Sequence, residues 1–219
     1  MRFDIITKLL SYFYPITTKI RTEKNGIVEL TYSNGRKILD SSNANYSYGS
    51  LQRILKFGLE KIEFTKVNDV LLLGLGGGSV IHTLRNDFGF TGKITAVEID
   101  KTIIDIAMNE FELMLDANLE TIHTDATEYV KNNAKKSDLL IVDIYIDAIV
   151  PSDFYTTQFW NNALQLINKN GYFIFNACIF NENSEKQMSD LLNYLRTSNS
   201  IQLFNKVEGT NTLIVGTKN

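Results

Sequence analysis

Val70-Leu71-Leu72-Leu73-Gly74-Leu75-Gly76-Gly77-Gly78-Ser79 is an apolar run that breaks into glycines and resumes as a helical pattern over 79–86. The next apolar run, 93–97, closes on Glu98-Ile99-Asp100. Gly74, Gly76, Gly77 and Gly78 permit a sharp turn and close approach of backbone to a ligand. A carboxylate ending the following strand can accept hydrogen bonds from both hydroxyls of a ribose. A glycine-rich strand exit paired with such an acid points to a nucleoside-binding α/β domain.

The same register repeats on the carboxyl side. Strands are predicted over 70–73, 93–97, 119–123, 139–142 and 172–177, alternating with helices over 79–86, 101–115, 126–135, 152–167 and 184–196. This alternation predicts a doubly wound parallel sheet covered by helices on both faces. The last two strands, 201–207 and 212–216, are joined by Glu208-Gly209-Thr210-Asn211, too short for a crossover, so they form an antiparallel hairpin. A seven-stranded, Rossmann-like sheet that ends in such a hairpin is the outline of class I S-adenosylmethionine-dependent transferases. On the amino side, residues 27–39 alternate around Asn34-Gly35 and read as a β-hairpin. A polar loop (40–45) and an amphipathic helix (50–64) follow. The boundary near 64–69 divides a 1–64 region of helix, hairpin and connecting helix from a 65–219 transferase domain.

The chain has 219 residues, a net charge of −3 and 44% hydrophobic residues. Such a length suits one main domain with a small appendage, since cores split only above about 250 residues. Without a general basic field, nucleic acid is not an expected partner. Cys178, the only cysteine, excludes an internal disulfide and fits a reducing, cytoplasmic setting. Its apolar surroundings, 172–179, argue for a buried inert thiol. His82 and His123 form no metal-ligand pattern, so no metal is expected. In residues 1–16, Asp4 and Lys8 interrupt the apolar patches and Pro15 ends them. A membrane span needs about 20 apolar residues and a signal peptide a core of about 7 or more, and neither is present. Leu9, Leu10, Phe13 and Tyr14 are expected to pack on a neighbouring surface such as another subunit.

Ligands of such sheets bind beyond the carboxyl ends of the strands. Four polar signals fall there in order: the glycine loop, Glu98, Asp125-Ala126 and Asp143. Each has a plainer alternative. Glu98 could be a solvated strand end, Asp143 a structural strand-end carboxylate, and Asp125 an N-cap for the helix it precedes.

Further segments carry a resemblance: Asn45-Tyr46-Ser47-Tyr48 before a helix, Val97-Glu98-Ile99-Asp100, Thr124-Asp125-Ala126, Asp138-Leu139-Leu140-Ile141-Val142-Asp143, and Phe154-Tyr155-Thr156-Thr157-Gln158-Phe159-Trp160. With the glycine loop, they make the chain similar to the spermidine synthase (polyamine aminopropyltransferase) family and its methyltransferase-like relatives, over roughly residues 26–180. The resemblance implies that Gly74, Gly76, Gly77, Gly78, Glu98, Ile99, Asp125 and Ala126 hold the nucleoside, with Glu98 on the ribose and Asp125-Ala126 at the adenine edge. It implies Asp143 as the catalytic group facing an amine, Tyr48 over the pocket, and a homodimer assisted by the amino-terminal region. Tyr145 and Asp147 are further candidates for the acceptor.

The departures from that family decide between donors. Where aminopropyltransferases carry Gly-Gly-Gly-Asp-Gly-Gly, whose Asp meets the ammonium of decarboxylated S-adenosylmethionine, this chain has Gly77. Their Asp-Ser-Ser-Asp-Pro becomes Asp143-Ile144-Tyr145-Ile146-Asp147. A buried ammonium without its carboxylate costs several kcal/mol, on the order of a hundredfold in affinity. Intact S-adenosylmethionine brings its own carboxylate. The expectation is therefore a methyltransferase acting on a small acceptor, an amine among the candidates. The rivals are aminopropyl transfer to putrescine, a nucleoside-binding module without turnover, and, more weakly, a nicotinamide dehydrogenase.

Overall fold

The computed structural model describes residues 5–41, 45–47, 50–146, 149–177, 179, 181–209 and 211–219. A short helix α1 (Ile5–Leu10) precedes a four-stranded antiparallel sheet of β1 (Ile16–Arg21), β2 (Ile27–Ser33), β3 (Arg36–Ser41) and β4 (Asn45–Ser47), in that order. The hairpin turn at Asn34-Gly35 has positive φ at both residues, +49° and +73°, as a tight turn between twisted strands requires. The appendage is thus larger than the two-strand hairpin expected from sequence. β1 carries no continuous apolar face, and the segment read as a loop over 40–45 begins inside β3 and ends at the first residue of β4.

After α2 (Ser50–Leu59) the chain builds β5 (Asp69–Leu73), α3 (Ser79–Asn86), β6 (Lys93–Glu98), α4 (Lys101–Glu110), β7 (Leu119–His123), α5 (Ala126–Asn132) and β8 (Ser137–Val142). It continues through α6 (Thr157–Gln165), β9 (Ile167–Ala177), α7 (Glu182–Leu195), β10 (Asn199–Val207) and β11 (Asn211–Lys218). The large sheet has the order β10-β11-β9-β8-β5-β6-β7, with β5 to β9 parallel and β11 antiparallel to both neighbours. The chain leaves β5 in both directions, towards β6 and towards β8, and their carboxyl ends flank the switch point.

Both faces of this sheet are covered. On one side, Trp160, Phe173, Phe175 and Leu191 centre a cluster under α5, α6 and α7. On the other, Leu59, Leu72, Leu84 and Ile141 bury α2 and α3. The alternating inward residues of the small sheet, Val28, Leu30 and Leu39, pack on Ile103, Ile106 and Phe111 of α4 and the residue that ends it. One carboxylate fastens this junction. Asp100 accepts from Lys24 N at 2.8 Å, Asn25 N at 3.2 Å and Asn25 Nδ2 at 3.1 Å through Oδ2, and caps α4 by accepting from Thr102 N at 3.0 Å. Burial alone would raise its pKa, but these hydrogen bonds and that of Thr22 hold it below the usual value.

The helix read over 152–167 is two elements. A 3-10 turn, Ser152–Tyr155, ends where Asp153 O receives Thr156 Oγ1, and Thr156 then caps α6 by accepting from Phe159 N at 3.2 Å. Ile167 belongs to β9. In α1 and the turn after it Ile5, Ile6, Leu9, Tyr12 and Tyr14 are exposed, and Phe13 is 85% exposed. Among the described residues, no helix is long and apolar enough to cross a membrane.

Candidate functional site

A cavity of about 230 Å³ opens at the carboxyl ends of β5, β6, β7 and β8. Gly74 and Gly76, Glu98 and Ile99, Asp125 and Ala126, and Asp143 and Tyr145 line it, so the four sequence signals do converge on one space. Gly77 and Gly78 are not in its wall. Gly78, at φ +82°, is the N-cap of α3, and a side chain there would collide with Leu113. Tyr48 and Asp147, the other acceptor candidates, lie outside the described residues, as does Cys178.

Gly74 shows why the loop needs glycine. Its φ is +93°, and a Cβ would stand 2.1 Å from the main-chain oxygen of Asp143. That close approach lets β5 and β8 end side by side, with Asp143 N donating to Leu73 O at 2.9 Å, while Gly74 N donates to Val97 O of β6 at 2.9 Å. The strand ends, and the acids on them, are stitched together by backbone.

Glu98 is buried beside the loop. Leu75 N donates to Oε2 at 3.1 Å and Asp100 N to Oε1 at 3.1 Å. Burial raises its pKa, opposed by the amides of Asp100, Leu75 and Gly76. A carboxylate accepts about four hydrogen bonds, so these three amides leave capacity for a ligand hydroxyl. Ile99 is held in the wall by its carbonyl, which meets His123 Nε2 at 3.0 Å.

Asp125 is an N-cap as well as a wall residue. Its Oδ1 takes Thr127 N at 2.7 Å, Glu128 N at 3.3 Å and the Thr127 hydroxyl, which fixes the carboxylate at the start of α5 and leaves Oδ2 outside these bonds. The cap read from sequence is present, and the same residue lines the cavity.

Asp143 is a second buried carboxyl in the cavity: burial pushes its pKa from 3.8 to about 6, against a lowering hydrogen bond from Asn176. Asn176 Nδ2 donates to Asp143 Oδ1 at 2.9 Å, and Asn176 Oδ1 accepts from Asn211 Nδ2 at 2.9 Å. Asn211 Nδ2 also reaches Tyr145 Oη at 2.9 Å, whose hydroxyl donates to Asn176 O at 3.3 Å. This relay was not foreseen. Asn176 did leave a trace, as the one polar side chain in the apolar run 173–177, where burial demands a partner. Lys24 and Asn25, also in the wall, left none: Asp100 brings them there from the small sheet.

Among known proteins, the spermine/spermidine synthase domain matches residues 52–208, and the match takes in every strand end around the cavity. The chain belongs to the spermine/spermidine synthase family. The polyamine aminopropyltransferase of Thermococcus onnurineus (strain NA1) is 34% identical over 117 residues, 49% of this chain and 39% of that protein. The chain spans less than half the length of the curated relatives it matches. A probable spermidine synthase from Corynebacterium glutamicum superposes with a TM-score of 0.64 at 14% identity, covering 94% of this chain and 77% of that one. Human methyltransferase-like protein 13, solved with S-adenosylhomocysteine (SAH), gives 0.62 at 19% identity, covering 77% and 82%. At such identities these likenesses establish the fold, which is that of class I methyltransferases: a seven-stranded, mostly parallel sheet with a carboxyl-terminal antiparallel hairpin.

Proposed function

We propose that this family member transfers a methyl group from S-adenosylmethionine to a small acceptor, with an amine as the receiving group. The observation that carries the choice is Gly77. The glycine loop offers no carboxylate to the donor's ammonium, and Gly74 and Gly76, rather than an acid, face the cavity. A donor with its own carboxylate suits such a loop, whereas one without it leaves an ammonium unpaired at a cost of several kcal/mol.

The cavity supports a nucleoside in chemical terms: Glu98 retains accepting capacity for a ligand hydroxyl, and Asp125 has one oxygen outside its cap. The donor supplies a sulfonium-activated carbon, so the protein's tasks are alignment and the handling of one proton. An amine near pKa 10 lies about 4 units above Asp143, an uphill transfer of about 5 kcal/mol. Asp143 is therefore no base for an ammonium ion. Its role is to orient an already neutral amine and take up the proton as the new bond forms, a task made easier by a carboxyl raised to about 6 than by one at 3.8.

The second reading is aminopropyl transfer from decarboxylated S-adenosylmethionine, favoured by the family itself and by relatives such as the Thermococcus protein. Calorimetric titration with both nucleosides separates the two. Methyl transfer requires the intact nucleoside to bind tighter by about a hundredfold. Tighter binding of the decarboxylated form overturns the proposal. A third reading, binding without turnover, predicts nucleoside binding and no labelled product with any amine.

A further inference from the structure

Asn176 is fully buried and stands between Asp143 and Asn211. The two ends of a side-chain amide are alike in shape and opposite in polarity, so its partners decide which end faces which. Here the polarity starts at the main-chain oxygen of Asn176, which can only accept. The Tyr145 hydroxyl donates to it at 3.3 Å, which leaves the phenol oxygen to accept from Asn211 Nδ2 at 2.9 Å. Asn211 Nδ2 also donates to Asn176 Oδ1 at 2.9 Å, and Asn176 is thereby turned to donate its own Nδ2 to Asp143 Oδ1 at 2.9 Å. An oxygen that faces an N–H cannot take up a proton without setting two hydrogens against each other, so protonation is directed to Oδ2. Asp143 lines the cavity, and its Oδ2 lies outside the relay.

Resting on the transferase reading above, we infer that Asn211 is a positioning residue for the reaction: acting through Asn176, it reserves Asp143 Oδ2 for the acceptor's proton. In the transfer, the amine's lone pair forms the new C–N bond as the donor's C–S bond breaks. Sulfur keeps that electron pair as a neutral thioether, and the nitrogen's proton passes to Oδ2. With the Asn211 amide removed, Asn176 can invert. Its oxygen then faces Oδ1, which disfavours the carboxylate and lets Oδ1 hold the proton instead. Burial and the Asn176 hydrogen bond set the titration of Asp143. Lys24, Glu98, Asp125, Asp153 and the Tyr145 phenol stand in the same cavity, and a substitution at 211 leaves each of them in place.

The test is a carbon-NMR titration of the Asp143 carboxyl in the whole protein, without donor or acceptor, comparing the parent with Asn211→Leu. Asn211 is half-buried at the start of β11 and leucine keeps its approximate size, so the variant is expected to fold. The midpoint should rise from about 6 by about 1 unit, a tenfold gain in proton affinity. Should that variant fail to fold, Tyr145→Phe withdraws the acceptor that fixes Asn211 and should move the midpoint in the same direction. A folded variant that keeps the parent's midpoint overturns the inference, because a role in packing alone leaves the titration where it was. The second readout is the pH profile of kcat/KM for methyl transfer to an amine, whose acid-side break should move up by the same unit. A moved midpoint with an unmoved break overturns the role in the reaction. If the parent turns over no amine, the transferase reading fails and takes the positioning role with it, whereas an unmoved midpoint beside an active parent sinks this inference alone.

Discussion

Replacing Asp143 with Asn removes a titrating group while nearly preserving its shape. In the folded protein burial holds the carboxyl at about 6 against an ordinary 3.8. Between those values the folded state keeps a proton that the unfolded chain has released. The stabilisation from this group is therefore fully present below about pH 4 and is lost as pH rises through about 6. The gap of about 2 units amounts to about 3 kcal/mol. In a domain of this size that corresponds to roughly 6–12 °C in Tm. Urea unfolding of the parent and the Asp143→Asn protein from pH 4 to 8 reads it directly, because every other titrating group cancels in the difference. The parent's stability minus the variant's should fall by about 3 kcal/mol across that range, with most of the change between pH 4 and 6.5. A difference that stays flat with pH refutes the raised carboxyl and with it the proposed handling of the proton.

Asn176→Leu removes the side-chain donor to Asp143, so the carboxyl midpoint, followed by carbon NMR, should rise by a further 1–2 units or so; an unmoved midpoint contradicts the relay. Gly74→Ala combines a positive φ with a Cβ 2.1 Å from the Asp143 oxygen, and should cost roughly 2 kcal/mol or more in unfolding free energy while abolishing SAH binding. Wild-type stability in that variant would show that the strand ends do not need the close approach. Asp100→Ala removes the α4 cap and the anchor of the Lys24-Asn25 turn, with an expected loss of about 2–3 kcal/mol. Hydrogen exchange should accelerate at Lys24 and Asn25 and stay slow in β5; equal acceleration in both would point to general unfolding instead.

The parallel core was legible because local rules and global architecture agree there. Buried strands such as 70–73 and 139–142 are continuous apolar runs, and each ends in a glycine or an acid at the ligand edge. The helix over 79–86 and the strand over 119–123 match the structure to the residue. Where propensity and packing part ways, the reading slipped. β1 alternates between half-buried and exposed residues and shows no apolar stripe. The stretch 152–167 is helical in composition, yet Thr156 restarts the helix and the backbone of Ile167 joins β9. At the site, Glu98, Asp125 and Asp143 were visible because strand ends place them without help from distant chain. Asn211 reaches the relay behind Asp143, and Lys24 the cavity wall, only through the β11 insertion and the docking of the small sheet on Asp100, neither of which leaves a local mark.

A crystal structure of the protein grown with SAH tests the nucleoside site most directly. The expected electron density places the ribose at the Glu98 carboxylate, the adenine edge at Asp125-Ala126 and the sulfur turned towards Asp143. A nucleoside bound elsewhere, or an empty cavity at millimolar SAH, would contradict it.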